Sequence, residues 1–438
     1  MQGGRSMMKT NLPEIETLPL KKLRELQSKR LQNLVAYVYD RVPFYKNKFD
    51  DLGLNPNSIK NIGDLNKLPI TYKSDLRDNY PFGLFAVPSD QIRRIHASSG
   101  TTGKPTVVGY TRKDLEIFAE VNARSLFAAG ARPGMIHHNA YGYGLFTGGL
   151  GLHAGAEKLG LGVVPVSGGM TDRQLMLLKD FQPEVISCTP SYAQRLSQEI
   201  KSRGINGLNL KFAVLGAEPW TETIREEVEA GLNVKASNIY GLSEIMGPGV
   251  SQEAVEERGS GSHVWEDHFF PEILHPDTKE PMPDGEYGVL CFTTLTKEAI
   301  PLLRYWTNDI CSLHYDPNSL RTHIKMSSIR GRADDMLIIR GVNLFHSQVE
   351  ELIREAEGLA PHYQLIVTRE GVMDDIELKV ELVQEKKTVD GEISEMENKF
   401  RQKIKNNIGL SMQVEIVAYN SIPRSEGGKL SRIVDLRK

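Results

Sequence analysis

The chain has 438 residues, of which 40% are hydrophobic, so a sizeable core can be buried without disulfides or metal ions to staple it. The 53 basic and 56 acidic side chains give a net charge of −3, which excludes the strongly basic surface of a nucleic-acid-binding protein. Cys188, Cys291 and Cys311 are too widely spaced for a disulfide framework and predict a reducing, cytoplasmic environment. The N-terminal segment lacks the apolar stretch of a signal peptide, and no run approaches the ~18 apolar residues of a membrane helix.

Residues 1–90 predict a cover of helices and loops. In residues 18–40, leucine and valine recur at helical spacing, namely at Leu20, Leu23, Leu26, Leu31, Leu34, Val35 and Val38. Turn-rich pieces such as LGLNPNS and NKLPITYK follow. We therefore expect one long helix and then short elements.

Residues 91–270 predict an α/β core. A buried strand is expected at 159–166, followed by a helix at 171–181 with Thr171 as its N-cap. Two more strand–helix pairs, PEVISCTP with SYAQRLSQEIKSRG and LKFAVLGAEP with TETIREEVEAGL, precede a last strand in VKASNIYGLSE. This alternation predicts a largely parallel sheet with helices on its faces. Because such sheets bind ligands beyond the carboxyl ends of their strands, the GAEP and YGLSE loops form the candidate site.

The remainder of the chain changes character. Proline, aspartate and glycine are dense in HPDTKEPMPDGEYGVLCFTTL and predict β-hairpins over residues 271–333. Residues 334–438 predict a small α+β domain with two helices, an antiparallel strand pair and a further strand. The fold class is thus α/β, with a large N-terminal domain over 1–333 and a small C-terminal domain over 334–438.

One loop, ASSGTTGKP, is rich in glycine, hydroxyl groups and positive charge. Glycines let main-chain N–H groups turn toward an anion, and hydroxyl and lysine side chains add donors. A Walker A loop is excluded because Gly100 and Gly103 are too close, Lys104 precedes a proline, and TVVGYT predicts a strand instead of a helix. From the loop alone, a phosphate cradle and a polar hairpin turn remain alternatives.

Six motifs occur in a fixed order: SSGTTGKP, LGAEP, NIYGLSE, RYWTND, GRADDMLIIRGVNLF and SEGGKLSR. Together they resemble the adenylate-forming superfamily of acyl-CoA synthetases, luciferases and peptide-synthetase adenylation domains. RVPFYKNKF, KLPITYKSDLRDNYPFGLFAV and HVWEDHF make nearly the whole chain similar to the phenylacetate–CoA ligases. The resemblance implies that ATP first adenylates a carboxylic acid and that the thiol of coenzyme A then displaces AMP. Both steps build negative charge and need preorganised donors and cations.

The resemblance also implies a nucleotide site, in which the glycine- and hydroxyl-rich loop covers the ATP phosphates. Glu218 and Tyr240 would flank the adenine and Ser243 would contact phosphate. Glu244, an implied catalytic residue, would hold Mg²⁺, which accepts one carboxylate plus phosphate oxygens. The implied ATP- and AMP-binding residues are Ser98, Ser99, Gly100, Thr101, Thr102, Gly103, Lys104, Gly216, Ala217, Glu218, Pro219, Asn238, Ile239, Tyr240, Gly241, Ser243, Asp309 and Arg332.

Further implied roles lie toward the C-terminus. Asp309 would accept both ribose hydroxyls, and Arg332 would reach ribose or phosphate. Asn308 departs from the family, in which many relatives have glycine or arginine before the aspartate. Asp334 would be the hinge about which the small, mobile domain swings between the half-reactions. Lys429, the second implied catalytic residue, would bridge the carboxylate substrate and the α-phosphate.

The acyl pocket is expected within residues 138–155, where related aryl ligases place substrate-facing aromatic residues. Tyr141 and Phe146 would line it, with Gly216 and Ala217 as the floor and Ile239 as a wall. A lining of aromatic and small residues favours a flat aryl acid over a long acyl chain.

Metal ligands are a separate question. His137, His138 and His153 could be ligands, although histidines that are satisfied by hydrogen bonds are commoner. Some relatives carry a structural zinc held by cysteines near positions equivalent to 252–263 and 317–323. Because this chain has no cysteine in either segment, we expect no zinc.

Three functions compete. The favoured one is an AMP-forming aryl-acid–CoA ligase, with phenylacetate as the expected acid. We expect ATP and coenzyme A as cosubstrates and Mg²⁺ as the cofactor. We expect no nucleic-acid or membrane partner. A homodimer is a family-level expectation. The alternatives are an adenylating enzyme that loads a carrier protein and a non-catalytic nucleotide-binding regulator. Retention of both Glu244 and Lys429 argues against the regulator.

Overall fold

The computed structural model describes residues 12–98, 105–145, 147–333, 337–339, 342–344, 346–370, 373–383, 390–422 and 432–437. The chain divides into two compact units: unit 1 is Met1–Thr307 with Cys311–Ser328, and unit 2 is Asn308–Ile310 with Ile329–Lys438. The α-helices are α1 (Leu20–Arg41), α2 (Pro43–Asp51), α3 (Lys73–Asp78), α4 (Arg112–Ala128), α5 (Gly148–Leu159), α6 (Thr171–Phe181), α7 (Pro190–Ser202), α8 (Glu222–Leu232), α9 (His346–Arg354) and α10 (Asp390–Ile408). Short 3-10 helices span Glu14–Thr17, Pro56–Ser58, Ile62–Lys67, Ser89–Gln91 and Val255–Glu257.

The strands fall into several sheets. They are β1 (Arg94–Ser98), β2 (Thr106–Tyr110), β3 (Ile136–Asn139), β4 (Gly162–Val164), β5 (Val185–Cys188), β6 (Phe212–Gly216), β7 (Lys235–Tyr240), β8 (Ser251–Glu253), β9 (Ser262–Val264), β10 (Phe269–Leu274), β11 (Gly288–Thr294), β12 (Tyr305–Cys311), β13 (Leu313–His314), β14 (Lys325–Met326), β15 (Gly331–Arg332), β16 (Leu337–Ile339), β17 (Val342–Leu344), β18 (Leu359–Glu370), β19 (Met373–Leu382), β20 (Gln413–Val417) and β21 (Ile433–Asp435).

The long N-terminal helix is confirmed as α1. Its apolar stripe packs inward, with Leu23, Leu31 and Val38 fully buried, whereas Leu20 in the first turn is 43% exposed. The helix ends at Arg41 because Pro43 starts α2, and a residue before proline is disfavoured in helical conformation.

The central element of unit 1 is a nine-stranded sheet in the order β13-β14-β9-β8-β7-β6-β5-β3-β4. The five strands from β7 to β4 are parallel, which confirms the prediction from strand–helix alternation. The prediction of a buried strand at 159–166 is wrong in extent and burial. Leu159 belongs to α5, and β4 is three residues long and partly exposed because it lies at the sheet edge.

Threonine side chains cap the N-termini of two helices. Thr189 and Thr221 cap α7 and α8, and each side chain accepts the main-chain N–H of the third helical residue. The predicted cap at Thr171 is wrong by one residue. Thr171 is already helical, and Met170 precedes it with a φ of 50° and no side-chain cap.

The β1–β2 hairpin frames the glycine-rich loop. Arg94 pairs with Tyr110 and Ser98 with Thr106, in antiparallel register. The prediction of a strand after the loop, in place of the helix of a Walker site, is confirmed by β2.

Residues after the core follow the predicted pattern. In unit 1, β10 and β11 form an antiparallel pair, as the turn-rich sequence predicted. In unit 2, β18 and β19 pair antiparallel, and Phe400 and Ile404 of α10 are buried against them, with Met396 and Ile408 packed at the margin. The three cysteines of the chain are buried and free. No described helix combines the length and apolarity needed to cross a membrane.

Candidate active site

The GAEP and YGLSE loops leave neighbouring parallel strands, β6 and β7, at their carboxyl ends, as predicted. Gly216 pairs with Ile239, and a Cβ added at Gly216 would lie 2.1 Å from the main-chain oxygen of Ile239. Glycine is therefore required for the close approach of the strands. Ala217, the next residue, has a φ of 70°, a strained conformation of a kind that clusters at ligand sites. Ala217, Glu218 and Pro219 are exposed and form an open edge beyond the sheet.

Two expected nucleotide-binding residues of β7, Tyr240 and Asn238, are held by their neighbours. The Tyr240 ring stacks on Phe292, with centroids 6.3 Å apart and an interplanar angle of 30°. Asn238 donates its main-chain N–H to Glu253 at 2.9 Å and accepts the Trp220 indole N–H at 2.9 Å. Both β7 residues are half-buried.

Glu244 lies between two lysines that the sequence analysis did not identify. Its side chain is 6% exposed, and Lys73 at the start of α3 approaches Oε1 to 3.7 Å. Lys297 donates to the main-chain oxygen of Glu244 at 2.9 Å. Ser243 lies beside Thr147, with 3.3 Å between their hydroxyl oxygens. Lys73 falls inside one of the motifs that carry the family resemblance, whereas Lys297, in the segment LTKEA, lies outside all of them.

The geometry brings together some of the residues expected at the aryl pocket, whose role stays a prediction. Tyr141 is 8% exposed and shares a hydrophobic cluster with Ile239, Leu152 and Val214, so two of the proposed lining residues are brought together. Burial raises the pKa of the Tyr141 phenol well above its ordinary value. Of the proposed floor, Gly216 is buried and the following alanine is exposed.

The proposed pocket segment comprises residues 138–155. Its second half, from Gly148 onward, belongs to helix α5 and is not a loop. Helix α5 packs closely on α4, where a Cβ at Gly151 would lie 2.3 Å from the Phe118 ring and one at Gly155 would lie 2.4 Å from Asn122 Cβ. These glycines allow the two helices to pack closely. The sequence pattern did not distinguish them from the glycines of a ligand-binding loop.

Asp309 and Arg332 are brought together in unit 2. They are direct partners on β12 and β15, with 3.4 Å between Arg332 Nη1 and Asp309 Oδ1. Asn308 has a φ of 67°, the left-handed region that asparagine and glycine tolerate best. The asparagine that departs from the family resemblance thus suits the same backbone as the glycine of many relatives.

Several expected site residues lie outside the described residues. They are Ser99, Gly100, Thr101, Thr102, Gly103, Lys104, Phe146, Asp334 and Lys429. Ser98 ends β1, but its side chain is likewise not described. Their roles stay predictions.

The histidines near the pocket segment are hydrogen-bonded. His137 Nε2 lies 2.7 Å from Ser187 Oγ, and His138 contacts the Gln174 amide oxygen. His153 Nδ1 lies 3.1 Å from the Tyr143 hydroxyl. Burial lowers the pKa of His137 to about 3, so this ring is neutral. Each of the three rings thus has a hydrogen-bonding partner, whereas the Nδ1 atoms of His137 and His138 are buried with no partner among the described residues.

Among the described residues, one group of three could geometrically hold a metal ion: Glu120, Asp267 and His268. The Arg124 guanidinium already lies 3.1 Å from both Asp267 oxygens, so an internal cation neutralises this carboxylate. Near the segments equivalent to the zinc site of some relatives, Lys325 makes contacts of 2.8 Å to both Glu257 and Asp316. The absence of zinc stays a prediction.

The sequence is similar to known proteins along almost its full length. The family model described as AMP-binding enzyme matches residues 14–295, and the one described as AMP-binding enzyme C-terminal domain matches residues 341–437. The phenylacetate-coenzyme A ligase of Thermus thermophilus is 60% identical, with 97% of this chain and 99% of that protein covered. The phenylacetate-coenzyme A ligase of Escherichia coli is 51% identical, with 98% of each covered.

A solved structure has the same fold. A 2-hydroxyisobutyryl-CoA ligase in the postadenylation state, in complex with 2-HIB-AMP, matches with a TM-score of 0.87 and 26% identity, covering 98% of this chain and 94% of that one. The resemblance inferred from the ordered motifs is therefore confirmed, and the chain belongs to the AMP-binding enzyme family.

Proposed function

We propose that this protein is an AMP-forming ligase that activates an aryl carboxylate, phenylacetate, with ATP and transfers the acyl group to coenzyme A. The observation that carries the proposal is the similarity to four phenylacetate-coenzyme A ligases, 47% to 60% identical over 97% to 98% of this chain. The arrangement of the two loops beyond β6 and β7 supports it, because this is where an α/β sheet binds a ligand.

In the first half-reaction, a carboxylate oxygen of the acid attacks the α-phosphorus of ATP. The bond between the α-phosphorus and the oxygen that bridges to the β-phosphate breaks, and pyrophosphate leaves. Tyr240 and Glu218 flank the adenine, and Asp309 accepts the ribose hydroxyls. The glycine- and hydroxyl-rich loop at 98–104 supplies donors to the phosphates, while Lys429 spans carboxylate and α-phosphate. These groups stabilise the negative charge that develops on the transferring phosphate.

Glu244 has the properties of a magnesium ligand. It is a carboxylate whose side chain is 6% exposed, and the Lys73 ammonium 3.7 Å from its Oε1 belongs to a 42%-exposed side chain that a bound metal ion can displace into solvent. A hard cation with phosphate oxygens as its other ligands suits this single carboxylate. When bound, Mg²⁺ supplies neutralisation of phosphate charge. The chain's part is to hold Glu244 in one orientation, and Ser243 beside it contacts phosphate.

In the second half-reaction, the thiol of coenzyme A attacks the acyl carbonyl carbon, and AMP leaves with the electron pair of the broken carbon–oxygen bond. Asp334 is the hinge that changes the domain arrangement between the steps. The acid lies against Tyr141, Phe146 and Ile239, and a flat aryl group matches such a lining better than a long acyl chain.

The decisive experiment incubates the purified protein with ATP, Mg²⁺, coenzyme A and a panel of acids that contains phenylacetate, benzoate, an indolyl acetate and a long-chain fatty acid. Pyrophosphate release and thioester formation are measured separately. We expect both with phenylacetate. Pyrophosphate release without thioester would favour carrier-protein loading, and no pyrophosphate release with any acid would favour a regulator. A cytoplasmic homodimer is part of the proposal, and light scattering of the purified protein tests the dimer.

A further inference from the structure

Lys297 is a buried lysine outside every motif of the family resemblance. It follows β11 in the segment LTKEA and is 2% exposed. Its ammonium donates to the Glu244 main-chain oxygen at 2.9 Å and lies 5.3 Å from the centroid of the Tyr110 ring. Burying a lysine is costly unless its charge is compensated, so a lysine at such a position calls for a reason beyond packing.

The groups around Lys297 come from three separate elements. Asp114 faces it from α4, Glu244 from the loop after β7, and Tyr110 from β2. The two carboxylates favour its charged form, but burial outweighs them and lowers the pKa of Lys297 to about 8. Lys73 reaches the Glu244 carboxylate from the solvent side, with its own side chain 42% exposed. Glu244 therefore has one exposed cation at its carboxylate and one buried cation at its main chain.

The main chain beside Lys297 is also fixed. The Asp114 carboxylate accepts the main-chain N–H groups of Glu298 at 2.7 Å and Ala299 at 2.9 Å. The same carboxylate accepts the N–H of Thr111 at 3.0 Å and so closes the capping box that begins α4. Because the main chain next to Lys297 is fixed in this way, the Lys297 side chain is held between the start of α4 and the Glu244 loop.

We propose that Lys297 is a positioning residue for Glu244, which it holds through the main-chain oxygen so that the carboxylate meets the metal–phosphate part of the nucleotide. This inference rests on the proposed function, because it takes Glu244 as the magnesium ligand. Partners that orient a metal ligand without touching the metal typically affect metal affinity or activity by about 10- to 100-fold.

The test compares Lys297→Met and Lys297→Arg with Lys325→Met. Lys325 is an equally buried lysine of unit 1, but it contacts Glu257, Asp316 and Ser260, none of which has an expected role at the nucleotide. Each variant is titrated calorimetrically with the α,β-methylene analogue of ATP, with Mg²⁺ and with a chelator in its place. We expect Lys297→Met to weaken binding of the magnesium form by about 10- to 100-fold, with little change in the metal-free form. Lys297→Arg should recover part of the loss, and Lys325→Met should bind normally even where its melting temperature falls.

The inference is overturned if Lys297→Met binds the magnesium analogue as tightly as wild type while melting like Lys325→Met, because the lysine is then structural. Failure of the proposed function looks different. If wild type binds the analogue but forms no adenylate from any aryl acid, the proposed reaction is wrong. The metal-dependent loss in Lys297→Met would still support the positioning role, and its absence would still refute it.

Discussion

Substitution of Gly216 by alanine gives a sharp test of where the nucleotide binds. Gly216 is the last residue of β6 and pairs with Ile239 on β7. The added Cβ would lie 2.1 Å from the Ile239 main-chain oxygen and 2.9 Å from its Cγ2. Even a close C–H···O contact needs about 3.3 Å. The two strands must therefore separate by roughly 1 Å, because a backbone oxygen cannot turn away as a side chain can.

The expected cost has two parts. Overpacking of this kind destabilises by about 1–3 kcal/mol, measured as a lower midpoint of urea denaturation. A displacement of about 1 Å in the loops after both strands should also lower adenylation on the order of 100-fold, measured by pyrophosphate release with saturating acid. Gly162→Ala on β4 is the matched control, since the nearest atom to its added Cβ is 3.8 Å away. It should stay close to wild type in both assays.

The reasoning would be refuted by a Gly216→Ala variant that is less stable than wild type but keeps its adenylation rate and its KM for ATP. That result would show that the ends of β6 and β7 can move without disturbing the nucleotide. Normal stability together with normal activity would instead show that the strands accommodate the methyl group.

Three further predictions concern other parts of the chain. Asn308→Gly should leave stability nearly unchanged, whereas Asn308→Val should cost about 1–2 kcal/mol at the left-handed φ of 67°; equal urea midpoints would contradict this. Lys429→Ala should slow adenylation by about 10²- to 10³-fold but spare thioester formation from supplied acyl-AMP, and an equal loss in both assays would remove its assigned role. His137, with its pKa lowered to about 3, stays neutral while an unfolded chain takes up a proton below about pH 6.5. Stability should therefore fall as pH decreases between these values, by roughly 4 kcal/mol over the whole range, and His137→Gln should flatten this dependence in urea melts.

Sequence reasoning succeeded where local pattern and topology agree. The alternation of apolar runs and amphipathic segments identified the parallel strands β5, β6 and β7 and placed both site loops at their carboxyl ends. The separation of Gly100 and Gly103, with Pro105 after the lysine, excluded a Walker site and left a strand, which β2 confirmed. These signals are local, so one sequence sufficed to read them.

The failures share a physical cause, which is tertiary context. Nothing in the apolar run at 159–166 shows that β4 would lie at the sheet edge, since edge and centre differ only in their neighbours. The glycines of α5 match a loop in composition, but Phe118 and Asn122 of α4 are what require them. The proposed role of Lys297 likewise follows only from its contact with the main-chain oxygen of Glu244, which is 53 residues away in sequence.

The arrangement of the site predicts which substitutions affect one half-reaction and which affect both. Glu244 and Ile239 are buried and held by the sheet of unit 1. AMP is bound in both half-reactions, so a change that displaces the carboxyl ends of β6 and β7, such as Gly216→Ala, should impair adenylation and also thioester formation from supplied acyl-AMP. A change at Lys429 should impair adenylation alone, because its proposed contact is made only while the carboxylate meets the α-phosphate. The ratio of the two losses therefore separates groups that hold the nucleotide from a group that acts in one step, independently of how far either variant is destabilised.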